Sequence, residues 1–366
     1  MTSIDQTPLV KVYMPPREEL MPALEDILYS GMLAEGEVVY EFERKFSEKF
    51  KINHTLAFSS GTACLHTALL LSNVKVGDEV ISTPMTAEPT NTSILYCGAK
   101  VVWADIDPIS GNLDPASVES SITPKTKAII VVHYGGYPAR LKELRAIADK
   151  YGVPLIEDCA HALGATYDGN AVGSVGDFSI FSFQAIKHMT TIDGGVLVLK
   201  NSDQLDAAKK IRWFGMLKGV PRTEVDINSI GYKYNMNNVM ASIGLVQLGS
   251  ISNILDKHIS NGKYYDQSIS NIQGLNFAKV DQTSQSSYWL YTLLSEYSSD
   301  LEKALNSRGV QASKLHRPNN KHSIFFDSKK NLPGLDKFYK QLLHIPCGWW
   351  VSDSKREEII SILKQG

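Results

Sequence analysis

The run GTACLHTALLL, from Gly61 to about Leu71, is apolar on almost every side and predicts a buried helix. The short strand EVIST follows at Glu79 to Thr83. Further apolar runs of strand length come next: AKVVWADI from Ala99, KAIIVVHY from Lys127, VPLIEDC from Val153, DFSIFSF from Asp177 and GGVLVLK from Gly194, several of them rich in Val and Ile. Between them ARLKELRAIADKYG places Leu141, Leu144, Ile147 and Ala148 on one helical face, and Gly152 marks its stop. Alternating strands and helices predict an α/β domain with a largely parallel sheet. After Gly195 the alternation thins, and a long helical stretch from about Asn237 through Ile259 leads away from the sheet. A boundary near Ser250 is therefore expected, with a large domain over 1–250 and a smaller C-terminal α+β domain over 251–366. The latter holds YWLYTLLS as a strand and SDLEKALNSRG and SKREEIISILKQ as helices.

Composition narrows the function classes. A chain of 366 residues with 43% hydrophobic positions can bury a sizeable core. Its formal net charge of -2 provides no global field for nucleic acid or an anionic membrane. The four cysteines, Cys64, Cys97, Cys159 and Cys347, have no CxxC pairing and suggest reduced thiols in a cytoplasmic protein. The start MTSIDQTPLVKVYMPP lacks the charged and apolar regions of an export signal, and no run approaches the ~18 apolar residues that span a bilayer.

Three segments carry candidate chemistry: SSGT at Ser59 to Thr62, EDCAHALGA at Glu157 to Ala165, and FSFQAIK at Phe181 to Lys187. Taken singly each has an ordinary reading. Lys187 would be a surface lysine, SGT a helix cap, Asp158 an ion-pair partner and His161 a core histidine. In this order, however, they match what pyridoxal phosphate needs: an amine for its aldehyde, an acid for its pyridine nitrogen and a cradle for its phosphate. Lys187 follows an apolar strand, where a partly desolvated amine becomes nucleophilic. Asp158 ends the strand VPLIED, at the edge where ligands of open α/β sheets gather. Ser60, Gly61 and Thr62 open a helix whose N-terminus favours an anion, and Ser182 adds a hydroxyl.

These motifs, with DILYSGMLAEGEVVYEFERKF at Asp26 to Phe46 and GYKYNMNNVMASIGLVQL at Gly231 to Leu248, make the chain resemble the DegT/StrS family of pyridoxal-phosphate sugar aminotransferases over essentially its whole length. The resemblance implies fold type I, with a mostly parallel sheet flanked by helices. It implies Lys187 as the Schiff-base lysine and proton shuttle, Asp158 as partner of the pyridine nitrogen, and His161 beside the phenolic oxygen. Gly61, Thr62 and Ser182 would bind phosphate. It further implies a homodimer in which Lys233 or Asn235 reaches the neighbour's phosphate, glutamate as amino donor and a keto sugar as acceptor.

Two departures stand out. Glu88, in PMTAEPTN, falls roughly where relatives place an aromatic residue against the cofactor ring, and KYNM replaces a common NYRM. Some relatives carry histidine at the Schiff-base position and act as dehydratases; Lys187 followed by His188 favours transamination. Two stretches could face the acceptor: HYGGY, with His133 and Tyr134, and HRPNNKHS, with His316, Arg317, Asn319 and His322. Arg317 suits a phosphate or carboxylate. The acceptor expected first is a nucleotide-linked 4-keto-6-deoxy sugar, and the second a keto-octulosonate free of nucleotide.

Overall fold

The computed structural model describes residues 6–328 and 330–365. Residues 1–5, which begin the polar N-terminal stretch, lie outside the described residues.

Helices α1 (Arg17–Tyr29) and α2 (Glu37–Phe50) lead into a seven-stranded sheet made of β1 (Thr55–Phe58), β2 (Glu79–Ser82), β3 (Lys100–Trp103), β4 (Thr126–Val132), β5 (Leu155–Asp158), β8 (Phe178–Ser182) and β9 (Gly195–Leu199). A small hairpin, β6 (Thr166–Tyr167) and β7 (Asn170–Ala171), interrupts the series. The sheet order is β1-β9-β8-β5-β4-β2-β3. Only β9 runs against both of its neighbours, β1 and β8. The connection between β8 and β9, residues 183–194, carries no helix, and the chain turns back instead. Lys187 sits in that turn. Phe183 N–H bonds Gly194 O at 2.9 Å and Thr191 N–H bonds Phe183 O at 3.0 Å, closing its base.

Helices α3 (Gly61–Leu71), α4 (Glu88–Tyr96), α5 (Pro115–Ser120), α6 (Leu141–Tyr151) and α7 (Leu205–Arg212) surround the sheet. Side chains of β4 alternate between its two faces: Ile129 and Val131 join a core with Phe42, Phe46 and Leu144, while Ala128 and Ile130 join one with Leu65 and Ile94. Helix α6 ends as its sequence predicts, with Gly152 in the left-handed region at φ +64°.

The long helix α8 (Asn238–Ile269) runs ten residues further than the sequence pattern suggested, and Ser250 lies within it. Ala241, Leu248 and Ile254 pack into the large core, whereas Tyr265 and Ile269 belong to a third core. That third core holds β10 (Asn276–Phe277), β11 (Tyr291–Leu294), α9 (Ser298–Ser307), β12 (Leu342–Ile345) and α11 (Asp353–Gln365) around an antiparallel sheet β10-β11-β12, while α10 (Pro333–Gln341) sends Leu335 and Phe338 into the core of Leu65 and Ile130. One helix thus serves both cores. By length and composition α8 could cross a membrane, contrary to the expectation that no run approaches that limit. Its apolar residues are instead spent on packing against α1, α2 and α11.

Candidate active site

The parallel strands end together, and their C-terminal ends open into a cavity of about 320 Å³. Asp158 ends β5 in that cavity. It is buried, and its two oxygens accept from Thr90 Oγ1 at 2.8 Å and Ala160 N–H at 3.1 Å. Burial raises its pKa, opposed by the Thr90 and Ala160 hydrogen bonds and the charge of Lys187. A cationic ring nitrogen beside it would favour the charged form further. Lys187 reaches the same cavity from the β8–β9 turn. Its amine is desolvated, which lowers its pKa from 10.5 to about 8 against the opposing pull of Asp158. Near neutral pH an appreciable fraction is therefore the free, nucleophilic amine.

The cradle lies at the other end of the cavity. Ser60 caps α3 by accepting from Ala63 N–H at 3.1 Å. Its own O–H remains free to donate, because a hydroxyl both donates and accepts. The N–H groups of Gly61 and Thr62 have no intrahelical carbonyl to meet and face the cavity wall. Space here is tight. A Cβ on Gly61 would lie 3.1 Å from Ser182 Cβ, and one on Gly195 would lie 2.7 Å from the Gly61 nitrogen. Glycine at both positions lets β8, β9 and the helix start converge.

His161 also lines the cavity, and among the described residues its Nδ1 finds no partner. Its ring stacks on Trp289 with centroids 4.0 Å apart and planes 15° apart. Burial, then the Lys187 charge, holds its pKa well below the ordinary value, so the ring is neutral. An unpartnered imidazole nitrogen, a free amine, a buried carboxylate and a helix start with open N–H groups are the donor set that pyridoxal phosphate requires. The residues fit the cofactor.

Glu88 and His316 complete the outer wall. Glu88 Oε1 lies 3.5 Å from His322 Nε2, so His322 stands behind it. No Phe, Tyr or Trp is among the described residues lining the cavity. Arg317 is exposed and donates to Lys321 O at 3.1 Å.

Other sequence candidates are placed differently. His133 is fully buried: Nε2 meets Glu157 at 3.1 Å and Nδ1 accepts from Ala139 N–H, leaving no nitrogen for a ligand. Tyr134 is buried with its hydroxyl on His344 Nε2 and Leu315 O. His188 points away from the cavity to Ser287 O at 3.1 Å. Asn319 is buried between Asn91 and Thr86 O, so it braces the loop before α4 rather than reaching a sugar. Motif proximity brought these four forward; burial with satisfied polar atoms removes His133, Tyr134 and Asn319, and His188 is removed because it lies outside the cavity lining. Lys233 and Asn235 do not line their own chain's cavity. Lys233 Nζ donates to Asn235 Oδ1 at 3.1 Å and lies over Trp213.

Sequence reading missed Thr90, Trp289 and the part played by Glu157. Glu157 is buried and accepts from the N–H groups of Gly173, Val175 and Gly176 as well as meeting His133, which pins β5 just before Asp158. Thr90 carried a faint signal, a hydroxyl one turn beyond Thr86. Trp289 carried none, since 128 residues separate it from the histidine it covers.

A fold of this topology with lysine, aspartate and a phosphate cradle converging on one cavity defines a pyridoxal-phosphate-dependent aminotransferase. Residues 16–364 match the DegT/DnrJ/EryC1/StrS aminotransferase family, and the chain belongs to that family. It is similar to the UDP-4-amino-4,6-dideoxy-N-acetyl-beta-L-altrosamine transaminase of Campylobacter jejuni, with 32% identity over 90% of this chain and 89% of that one. Among solved structures it resembles the sugar aminotransferase CalS13 of Micromonospora echinospora, with 33% identity, coverage of 98% and 99%, and a TM-score of 0.94. It also resembles Spr1654 of Streptococcus pneumoniae in its PLP form, with 26% identity, coverage of 98% of both chains and a TM-score of 0.91. The protein is a sugar aminotransferase that uses pyridoxal phosphate.

Proposed function

We propose that this enzyme moves the amino group of glutamate to a nucleotide-linked 4-keto-6-deoxy sugar destined for a surface polysaccharide. The observation that carries this reading is the charge of the cavity wall. Glu88, Asp158 and Asp193 are its carboxylates, Lys187 is the only lysine or arginine among its described residues, and burial keeps His161 and His316 neutral. Glu88 suits sugar hydroxyls as an acceptor and disfavours an acceptor that brings its own carboxylate, such as a keto-octulosonate. Arg317, exposed next to His316, has the fork to take a diphosphate outside the cavity. The Campylobacter relative, named for a UDP-linked 4-amino-4,6-dideoxy sugar, supports the same choice.

The same deficit of positive charge supports a composite site. A phosphate and the carboxylates of glutamate need cations that one chain's wall lacks, and the exposed Lys233, held by Asn235, is suited to provide one to the neighbour in a homodimer.

Bound pyridoxal phosphate supplies an electron sink that makes the carbon next to the nitrogen acidic. Asp158, whose charged form the Thr90 and Ala160 hydrogen bonds favour, would hold the proton of the ring nitrogen. Lys187, its amine pKa lowered to about 8, would take a proton from the donor carbon and give it back, and for the keto sugar would run the exchange in reverse. His161, whose Nδ1 is unpartnered in the cavity wall, would hold the cofactor's phenolic oxygen.

The test is turnover against a panel of keto sugars, with the product identified by mass. Amination of a nucleotide-linked 4-keto sugar is expected. Turnover of a keto-octulosonate alone would overturn the choice of acceptor while leaving the aminotransferase intact.

A further inference from the structure

The indole of Trp289 meets three parts of the site at once. Its Nε1–H donates at 2.9 Å to the carbonyl of Ile186, the residue before Lys187. Lys187 Nζ lies 4.2 Å from the ring centroid. The opposite relation is to His161, whose imidazole stacks on the indole. Trp289 is itself 2% exposed and comes from the segment that enters β11, so the small domain delivers it to a lysine of the large one.

An ammonium in a cavity wall has lost much of its hydration. An aromatic face returns part of that loss through its quadrupole, more so where water is excluded, and gives nothing comparable to the neutral amine. The other groups facing Lys187 are Asp158 from β5, His161 from the loop after it, His316 from the outer wall and the adjoining His188, with Glu88 and Asp193 on the same cavity. Burial is the main reason all three histidines are neutral, with His316 brought down to about 4, so none of them repels the ammonium near neutral pH. Asp158 and the indole are left as the groups in direct favour of it.

We propose that Trp289 is a positioning residue for Lys187: its face docks the side chain whenever the amine is free and protonated, and its N–H fixes the backbone from which that side chain reaches the cavity. The inference rests on Lys187 as the reactive amine. A proton shuttle must return to one place between transfers, and the indole, on which His161 also stacks, defines that place.

The experiment uses the full chain freed of cofactor. Lys187 is labelled with acetic anhydride across a pH series, and its modification is followed by peptide mass. Trp289→Leu removes the aromatic face, Trp289→Phe keeps a face without the N–H, and chain made with trifluorotryptophan keeps shape and N–H but weakens the quadrupole. The labelling midpoint is expected to fall by about one pH unit in Trp289→Leu, to fall less in the fluorinated chain and to stay within about half a unit in Trp289→Phe. An unmoved midpoint in the fluorinated chain, or a raised one in Trp289→Leu, overturns the proposal. If Trp289→Leu does not fold, the fluorinated chain decides alone. Adding pyridoxal phosphate to the same samples separates the two readings. A wild-type chain that never turns yellow defeats the cofactor assignment, whereas the labelling midpoints still judge the Trp289 contact.

Discussion

Thr90 donates its hydroxyl to Asp158 Oδ2 at 2.8 Å, tying the first turn of α4 to the end of β5. The bond favours the charged carboxylate against burial, and that charge is what Asp158 contributes to the cofactor. Thr90→Val keeps the shape and removes the donor. A hydrogen bond to a charged group is worth about 1.5–3 kcal/mol, so kcat should fall roughly ten- to a hundredfold. Wild-type kcat in Thr90→Val would sink this account of Asp158.

Lys187 gives a pH-dependent stability whose sign is opposite to that of an ordinary ion-paired lysine. Its folded pKa, about 8, lies below the ordinary 10.5, so between those values the unfolded chain binds more protons and stability rises with pH. Below pH 8 the penalty of the buried ammonium is fully present. In cofactor-free protein Lys187→Met should therefore be more stable than wild type at pH 7, by about 1–3 kcal/mol, with the gap closing towards pH 10. Urea unfolding at the two pH values measures it, and a less stable variant at pH 7 contradicts the desolvation argument.

Gly195 is required for approach, and its neighbours show why: a Cβ there would meet Gly61 N at 2.7 Å and Phe181 O at 2.8 Å. Gly195→Ala must push the start of α3 off its position. Because the N–H groups of Gly61 and Thr62 form the phosphate cradle, the expected result is weaker cofactor binding, about ten- to a hundredfold, seen by absorbance titration. Unchanged affinity would mean that the phosphate sits elsewhere.

Glu157 is a buried structural carboxylate. Burial pushes its pKa up, but the hydrogen bonds from His133 and from the N–H groups of Gly176 and Gly173 outweigh this and hold it below the usual range. Its stabilising contribution is therefore lost as pH falls through that lowered pKa. Glu157→Gln turns one acceptor into a donor facing donors, and should cost about 3 kcal/mol in urea unfolding at pH 7. His133, Glu157 and Cys159 have potential ligand atoms within 4.8 Å of one another. Those of Glu157 already serve the backbone, so zinc should not rescue the variant.

A composite site predicts complementation. Lys187→Ala and Lys233→Ala chains, each impaired alone, should on mixing form hybrid dimers with one intact site and recover about a quarter of wild-type activity. Running Asn235→Ala in parallel tells whether Asn235 acts directly or by holding Lys233. No recovery in either mixture would leave each chain to complete its own site.

Much of this protein is determined locally along its chain. The strands β2, β4, β5, β8 and β9 follow from apolar runs, α6 and its Gly152 stop from a 3.6-residue period, and the Lys187, Asp158 and Gly61 to Thr62 set from motifs that keep their order wherever they fold. What the sequence left open depends on contacts between distant segments. The end of α8 is set by Tyr265 and Ile269 joining a second core, which a local pattern does not display. His133, Tyr134 and Asn319 look like ligands in sequence because a polar residue near a motif carries no mark of whether its partners are already filled; only burial and paired hydrogen bonds remove them, while His188 is removed by its direction, towards Ser287 O. Trp289 is the reverse case, an apolar position in a strand-like run that long-range packing sets against Lys187 and His161. Sequence fixes which groups are present, and the tertiary structure decides which of them still have an unpartnered atom facing the cavity.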